Sequence, residues 1–399
     1  MPASRPSLLR ERGQPHSARV DMVELFFDLV FVFAVTQLSH HLLEHMTAGG
    51  ALQTLLLLLG VWWLWIYTSW ATNWLDPRRN PVRLMLFALM LGGLLLSSSI
   101  PRAFEDKGLA FAIAFAAMHL GRTGFVLFAF ARDGRREQSR NFTRILIWFL
   151  LSAALWIAGG LAPEQSRSGW WIAAVAIEYI GPALLFRVPG LGASSTADWD
   201  IDGEHLAERC ALFVIIALGE SLLITGATFS ELSWNAPTLA ALAIAFLGSV
   251  AMWWIYFDTG AVRASHRIAH SGDPGRIGRM AYTYLHLPIV AGIIVCAVSD
   301  ELILAHPAHA EDAGVAAILG GPALYLFGTA FFKWVTNDRR TPPLSHMVGL
   351  LLLFAVMPFA FGHAFSALVL AAIATAILGL VAIWESIALR RTGPGRPAA

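Results

Sequence analysis

The residues with chemistry to offer are acids and bases set inside apolar runs. The stretch ELFFDLVFVFAVTQLSHHL at 24–42 opens with Glu24 and Asp28. Four residues apart, they share one face of a helix, one turn apart. A second stretch, HLAERCALFVIIALGESLL at 205–223, carries His205 and Arg209 on one stripe with Glu220, and Glu208 flanks it. Arg209 and Glu220 are three helical turns apart, roughly 16 Å along the axis. His119 and Arg122 lie three apart in a third run, and Glu178 sits in a fourth. A charge inside a bilayer costs at least about 2.5 kcal/mol on insertion scales, so each should face other helices and hold a partner.

Depth assigns Arg209 to Asp28, and Glu178 to His119 with Arg122. Glu220 has no cation at its depth; Gln37, His40 and His41 of the first run are the polar groups within reach. A buried carboxylate without a counter-ion tends to bind a proton. That expectation makes Glu220 the leading proton site, with Asp28, Arg209, Arg122 and Glu178 as relay or gating charges. The plainer alternative is that these pairs only hold helices in register, where polar contacts in membranes are worth little. Asp258 and Glu385 are expected at helix ends, in water.

The elements that must position these groups follow from hydropathy. Of 399 residues, 57% are hydrophobic and 14% charged. Soluble domains run at about 45–50% apolar and about 25% charged. A span takes about 20 mostly apolar residues. Twelve stretches qualify: 22–45, 51–74, 82–101, 108–131, 143–162, 169–187, 205–227, 237–258, 280–300, 314–335, 345–363 and 365–389. In lipid they must satisfy their own backbone hydrogen bonds, so an all-α, polytopic membrane helix bundle is predicted. Placing the N-terminus in the cytoplasm gathers nearly all loop Lys and Arg on that side. Only Arg102, Lys107 and Arg167 fall opposite, and Arg122 and Arg209 lie inside spans. Both termini are therefore expected inside.

The two halves also resemble each other. LGVWWLWIY (59–67) answers LGSVAMWWIY (247–256), HLGRTG (119–124) answers YLFGTA (325–330), and VAIEYI (175–180) answers VAIWES (381–386), in the second, fourth and sixth spans. A 6+6 duplication follows, parallel because six is even, as in some secondary transporters. The expected layout is a tail at 1–21, a six-helix repeat at 22–187, a linker at 188–204, a second repeat at 205–390 and a tail at 391–399.

Net charge of +1 gives no reason to expect a nucleic-acid partner. No Walker, G-x-S-x-G, HExxH or CxxC pattern occurs, which argues against an ATP-driven pump, a serine hydrolase and a zinc protease. His40, His41 and His45, and the pair His205 and Glu208, lack the further ligands a metal needs, so no metal or cofactor is expected. The tryptophans at 62, 63, 65, 70, 74, 253 and 254 read as anchors or packing, or alternatively as a stacking surface for an aromatic or lipid-like substrate.

ELFFDLVFV, supported by the Glu-Arg … Leu-Gly-Glu pattern at 208–220, resembles the low-temperature-requirement A family of bacterial membrane proteins over roughly 18–390. An aromatic residue and a glycine are expected after Glu-Arg in that family; Cys210 and Ala211 stand here. The resemblance implies a multi-pass protein of the bacterial inner membrane, with the lipid bilayer as its surroundings. Three functions remain open: a proton-coupled secondary transporter of a small or amphipathic molecule, a non-catalytic cold-growth or stress factor, and an intramembrane lipid-modifying enzyme. No catalytic constellation favours the enzyme.

Overall fold

The computed structural model describes residues 7–11, 19–194, 201–258, 278–336 and 341–392. Most of the N-terminal tail, the middle of the 188–204 linker, the basic stretch 259–277 and the end of the C-terminal tail lie outside the described residues. Twelve long helices follow in order: α1 (Met22–Glu44), α2 (Ala48–Trp74), α3 (Asn80–Ser99), α4 (Gly108–Arg132), α5 (Arg136–Leu161), α6 (Glu164–Ala183), α7 (Gly203–Glu231), α8 (Ala236–Phe257), α9 (His286–Ala305), α10 (Asp312–Thr336), α11 (Leu344–Phe361) and α12 (Ala367–Thr392). Eleven are long and apolar enough to cross a membrane. The exception is α6, whose first turn reads Glu-Gln-Ser-Arg and whose interior holds Glu178. A π-helical turn, Arg279–Tyr284, leads into α9.

The helices are apolar on their outer faces as well as inside. Along α3, Val82, Leu86, Leu89 and Leu96 are buried, while Leu84, Leu91 and Leu95 are exposed. Contiguous exposed Leu and Phe of this kind is what acyl chains cover, and polar groups retreat to the interior. Trp62, Trp63 and Trp65 are fully buried, so on α2 the tryptophans pack the core; Trp253 and Trp254 on α8 are exposed.

The chain forms two compact units, with the division inside α7 between Arg209 and Cys210. In the first, α4 packs on α3 and α5, and α5 on α6, with α2 against α4 and α6. In the second, α9 packs tightly on α10, α8 on α12, and α11 on α10 and α12. The α9–α10 approach depends on glycine. A Cβ on Gly292 would lie 2.6 Å from the Tyr325 amide nitrogen, and one on Gly321 would lie 2.7 Å from the Cys296 Sγ. No side chain fits at that separation.

The N-terminal segment is held to the end of α2 by backbone pairing. Arg10 N–H donates to the Trp74 carbonyl (2.8 Å) and Asp76 N–H to the Leu8 carbonyl (2.9 Å), with Leu8 and Leu9 buried. This docking brings Arg10 to the acids of α1.

Candidate functional site

The first network joins α1, α2, the N-terminal segment and the start of α7. Glu24, Asp28, His205 and Arg209 are all fully buried. Arg209 bridges the two acids: Nη1 donates to Glu24 Oε1 (3.0 Å) and Nη2 to Asp28 Oδ1 (2.6 Å). The planar guanidinium suits this fork, since its two donors are fixed in one plane. Arg10 Nη2 donates to the other oxygen of Glu24 (2.8 Å), and so does the Asp21 amide (2.9 Å). Two guanidiniums thus face two carboxylates.

His205 stands between Asn73 on one side and Glu24 with Arg10 on the other. The Asp202 amide donates to Asn73 Oδ1 (2.8 Å) and Asn73 Nδ2 donates to the Asp202 carbonyl (2.7 Å), which fixes the amide orientation. The same Nδ2 stands 3.3 Å from His205 Nδ1, which must therefore accept. Nε2 faces both Glu24 Oε1 at 2.9 Å and Arg10 Nη2 at 3.1 Å.

This network is satisfied around Glu24 and incomplete around Asp28. Trp65 Nε1 donates to Asp28 Oδ1 (2.8 Å), the oxygen that already receives Arg209. Asp28 Oδ2 and Arg209 Nε are both buried without a hydrogen-bond partner. Such orphaned charged atoms are rare in proteins and mark sites that exchange partners or hold water.

The second network lies within α2, α4, α5 and α6. Arg122 Nη1 donates to the Leu64 carbonyl (2.9 Å) and to Thr68 Oγ1 (3.2 Å), and Nη2 lies 2.7 Å from His119 Nδ1. Arginine only donates, so His119 Nδ1 accepts, and its Nε2 proton points to Glu178 Oε2 at 3.0 Å. Ser152 donates to the remaining oxygen of Glu178. A neutral histidine therefore separates the cation from the anion.

A third network sits in the second unit, on α8, α10, α11 and α12. Lys333 donates to Glu385 and to the Ile255 carbonyl (2.7 Å), and His346 Nδ1 lies 3.5 Å from Glu385. Lys333 is 2% exposed and Glu385 7%. This corrects two expectations. Glu385 is not solvated at a helix end but ion-paired in the interior. Lys333, counted among the loop cations although it lies at the end of the 314–335 stretch, sits in the last turn of α10 and is buried. Asp258 is exposed, as a helix-end acid should be, and accepts from Trp254 and Ser386.

The model of the bacterial low temperature requirement A protein (LtrA) family matches residues 19–383. The chain belongs to the LtrA family. It is 44% identical over 372 residues to the uncharacterized protein RA0937 of Rhizobium meliloti (strain 1021), spanning 92% of this chain and 89% of that protein. No solved structure matches.

The other singled-out residues of this LtrA chain stand apart from these networks. Glu208 is exposed and accepts from the Val20 amide (3.1 Å). Gln37 on α1 is half-buried. Glu220 on α7 is also half-buried and is not free of interaction, so the premise of a lone buried acid fails there. His41 faces Thr54 Oγ1 at 2.9 Å, while His40 is exposed. Among the described residues, no three His, Cys, Asp or Glu side chains converge as a metal site.

Sequence reasoning missed Arg10, Asn73, Trp65, Ser152, Lys333 and the pair Tyr256–His286. In that pair His286 Nδ1 faces the Ala281 carbonyl (2.9 Å) from the π turn, so Nε2 accepts from the Tyr256 hydroxyl at 2.7 Å. The only available signal was spacing: His286 lies five residues after Ala281, where a π turn shifts the helical register.

Proposed function

We propose that this LtrA protein is a proton-coupled secondary transporter of a small or amphipathic molecule. In this reading it sits in the bacterial inner membrane, with both termini in the cytoplasm and two parallel six-helix repeats. The observation that carries the reading is a recurring constellation. In the first unit a cation on the fourth helix, Arg122, donates to a carbonyl of the second helix, and its histidine partner reaches a glutamate on the sixth, Glu178, which the fifth helix also contacts through Ser152. In the second unit Lys333, Ile255, Glu385 and His346 occupy the corresponding helices in the corresponding roles. Duplicated halves with polar groups buried between helices are a construction used by secondary transporters.

Within that frame the Glu24–Asp28–Arg209 network is the coupling site, because Asp28 keeps one oxygen free to take a proton or a substrate cation. Glu220, Glu208, Gln37, His119, Arg122 and Glu178 are the remaining relay candidates. The preference for an amphipathic substrate is supported by an outward-facing apolar cleft of about 890 Å³ between α3 and α4, whose lining includes Arg122. A purely structural role is favoured by one observation, the charge balance of each network.

The test uses vesicles of phosphatidylethanolamine and phosphatidylglycerol that enclose a pH-sensitive dye and carry the full chain. Small and amphipathic solutes are offered in turn. Solute-dependent proton movement is expected, and its loss in Asp28→Asn, with helical content retained, assigns the site. Movement that survives in Asp28→Asn but stops in Glu220→Gln returns the site to α7. Proton movement with no solute overturns the reading.

A further inference from the structure

The second unit contains an acid that none of the three networks uses. Asp300 lies on α9, one turn before its end at Ala305. Its carboxylate makes no hydrogen bond or ion pair among the described residues and lines a small cavity of about 20 Å³. Four helices build the walls: Ser249 and Met252 from α8, Ser299 and Asp300 from α9, Pro322 from α10 and Thr375 from α12. About 10–15 Å³ accommodates one water-sized occupant, so this space admits one and no more.

The donors around it are hard oxygens. Ser249 is 4% exposed and its hydroxyl has no partner, although a serine in a helix normally bonds back along its own backbone. On the same helix, Gly248 keeps the wall open. A Cβ there would stand 3.4 Å from Thr375 Oγ1, so the glycine leaves that hydroxyl uncrowded. Pro322 lies inside α10 and has no N–H, which withdraws the helical donor from the carbonyl four residues back, that of Ile318. Ile318 also lines the cavity. One carboxylate, two hydroxyls and the backbone carbonyl that Pro322 leaves without its helical donor make a hard-oxygen set with a single negative charge.

We propose that this cavity binds one sodium ion, held by Asp300 with Ser249, Thr375 and the Ile318 carbonyl. A single carboxylate neutralises a monovalent ion. Calcium takes six to eight oxygens and usually several carboxylates, and magnesium keeps several waters, for which the space is too small. A larger cavity of about 650 Å³, lined by His306, His309 and Glu311 at the same end of α9, shares Ile318 as a wall. The first unit offers no equivalent, since α3 carries no acid. The inference does not depend on the transport reading.

The experiment is thermal unfolding of the purified full-length protein in detergent, followed by tryptophan fluorescence. Sodium chloride replaces choline chloride at constant ionic strength. Sodium is expected to raise Tm in a saturable way, with potassium less effective. Asp300→Asn should abolish the sodium shift. Ser249→Ala, which loses one ligand and no charge, should keep the shift but move its half-saturation about tenfold higher, or about 1.4 kcal/mol. Wild-type curves that coincide in sodium and choline overturn the proposal, as does a sodium shift that persists in Asp300→Asn. Failure here leaves the proton-movement assay on Asp28 unaffected, so the two readings fail separately.

Discussion

Arg209→Met offers the sharpest test of the α1–α7 network, because its consequences for the two acids differ. Glu24 would keep Arg10 at 2.8 Å, His205 at 2.9 Å and the Asp21 amide at 2.9 Å. Asp28 would keep only the Trp65 indole at 2.8 Å. Removing one partner of a buried ion pair costs about 3–5 kcal/mol, because a charge is left behind. Protonation limits that cost. An ordinary aspartate takes up a proton at pH 7 for about 4 kcal/mol, at ~1.4 kcal/mol per pH unit. The expected loss is therefore about 3–4 kcal/mol at pH 7.

Asp28→Asn should be far milder, about 1–2 kcal/mol, since Arg209 retains Glu24 at 3.0 Å and loses one charge-assisted bond. In the double variant no charge is stranded at position 28, so the cycle should show a coupling of at least about 2 kcal/mol. Neutral interhelical hydrogen bonds in membranes average only about 0.6 kcal/mol, which sets the scale for a network without net electrostatic work. The assay is denaturant unfolding in mixed micelles, read by circular dichroism. Equal single-variant losses that simply add would refute the asymmetry on which this reasoning stands.

Two further outcomes follow from the geometry. His119 accepts from Arg122 and donates to Glu178, and a glutamine offers the same acceptor and donor. His119→Gln should therefore stay within about 1 kcal/mol of wild type, while His119→Leu should lose about 3 kcal/mol by leaving Arg122 Nη2 and Glu178 Oε2 buried without their partner; comparable losses would show that the histidine does not link them. At the α2–α3 turn, burial pushes the Asp76 carboxyl up, but the Arg78 hydrogen bonds and the charges of Arg78 and Arg79 outweigh it and leave it below the usual carboxylate range. A depressed folded value stabilises above the unfolded value of about 3.9 and is lost as pH falls through the folded one. Asp76→Asn should thus be less stable than wild type at pH 6, and the gap should close on acidification below about pH 4; a gap independent of pH across that range would contradict it.

Much of this fold was legible because a bilayer admits few alternatives. Each of the twelve stretches became a helix with ends displaced by a few residues, since apolar length alone decides where backbone must pair with itself. Asp28 with Arg209, and Glu178 with His119, were legible for the same reason: a buried charge must have a partner at its own depth. That logic weakens at helix ends. Lys333, two residues inside the end of the 314–335 stretch, reads as a loop cation by its charge, yet it lies in the last turn of α10 with its ammonium buried against Glu385. Asp300, at the boundary of its stretch, went unnoticed for the same reason. Arg10 was illegible for a different cause. Its position depends on backbone pairing between Leu8 and Asp76, a long-range contact that no hydropathy or charge count encodes.

The pattern of what was missed bears on the duplication. Had Lys333 been read as buried, the second half would have shown a cation on its fourth helix and a glutamate on its sixth, matching Arg122 and Glu178. The sequence alignment of these helices hid that match, because it set Arg122 against Gly328 and Glu178 against Trp384. A lysine reaches farther than its own Cα position along an apolar stem, so a change of helical turn can be absorbed while the ammonium meets the same partners. The proposed duplication therefore rests on the placement of charge, not on residue register. A direct Lys–Glu contact replaces the histidine-bridged one, which leaves only the first unit with a titratable ring between its cation and its anion.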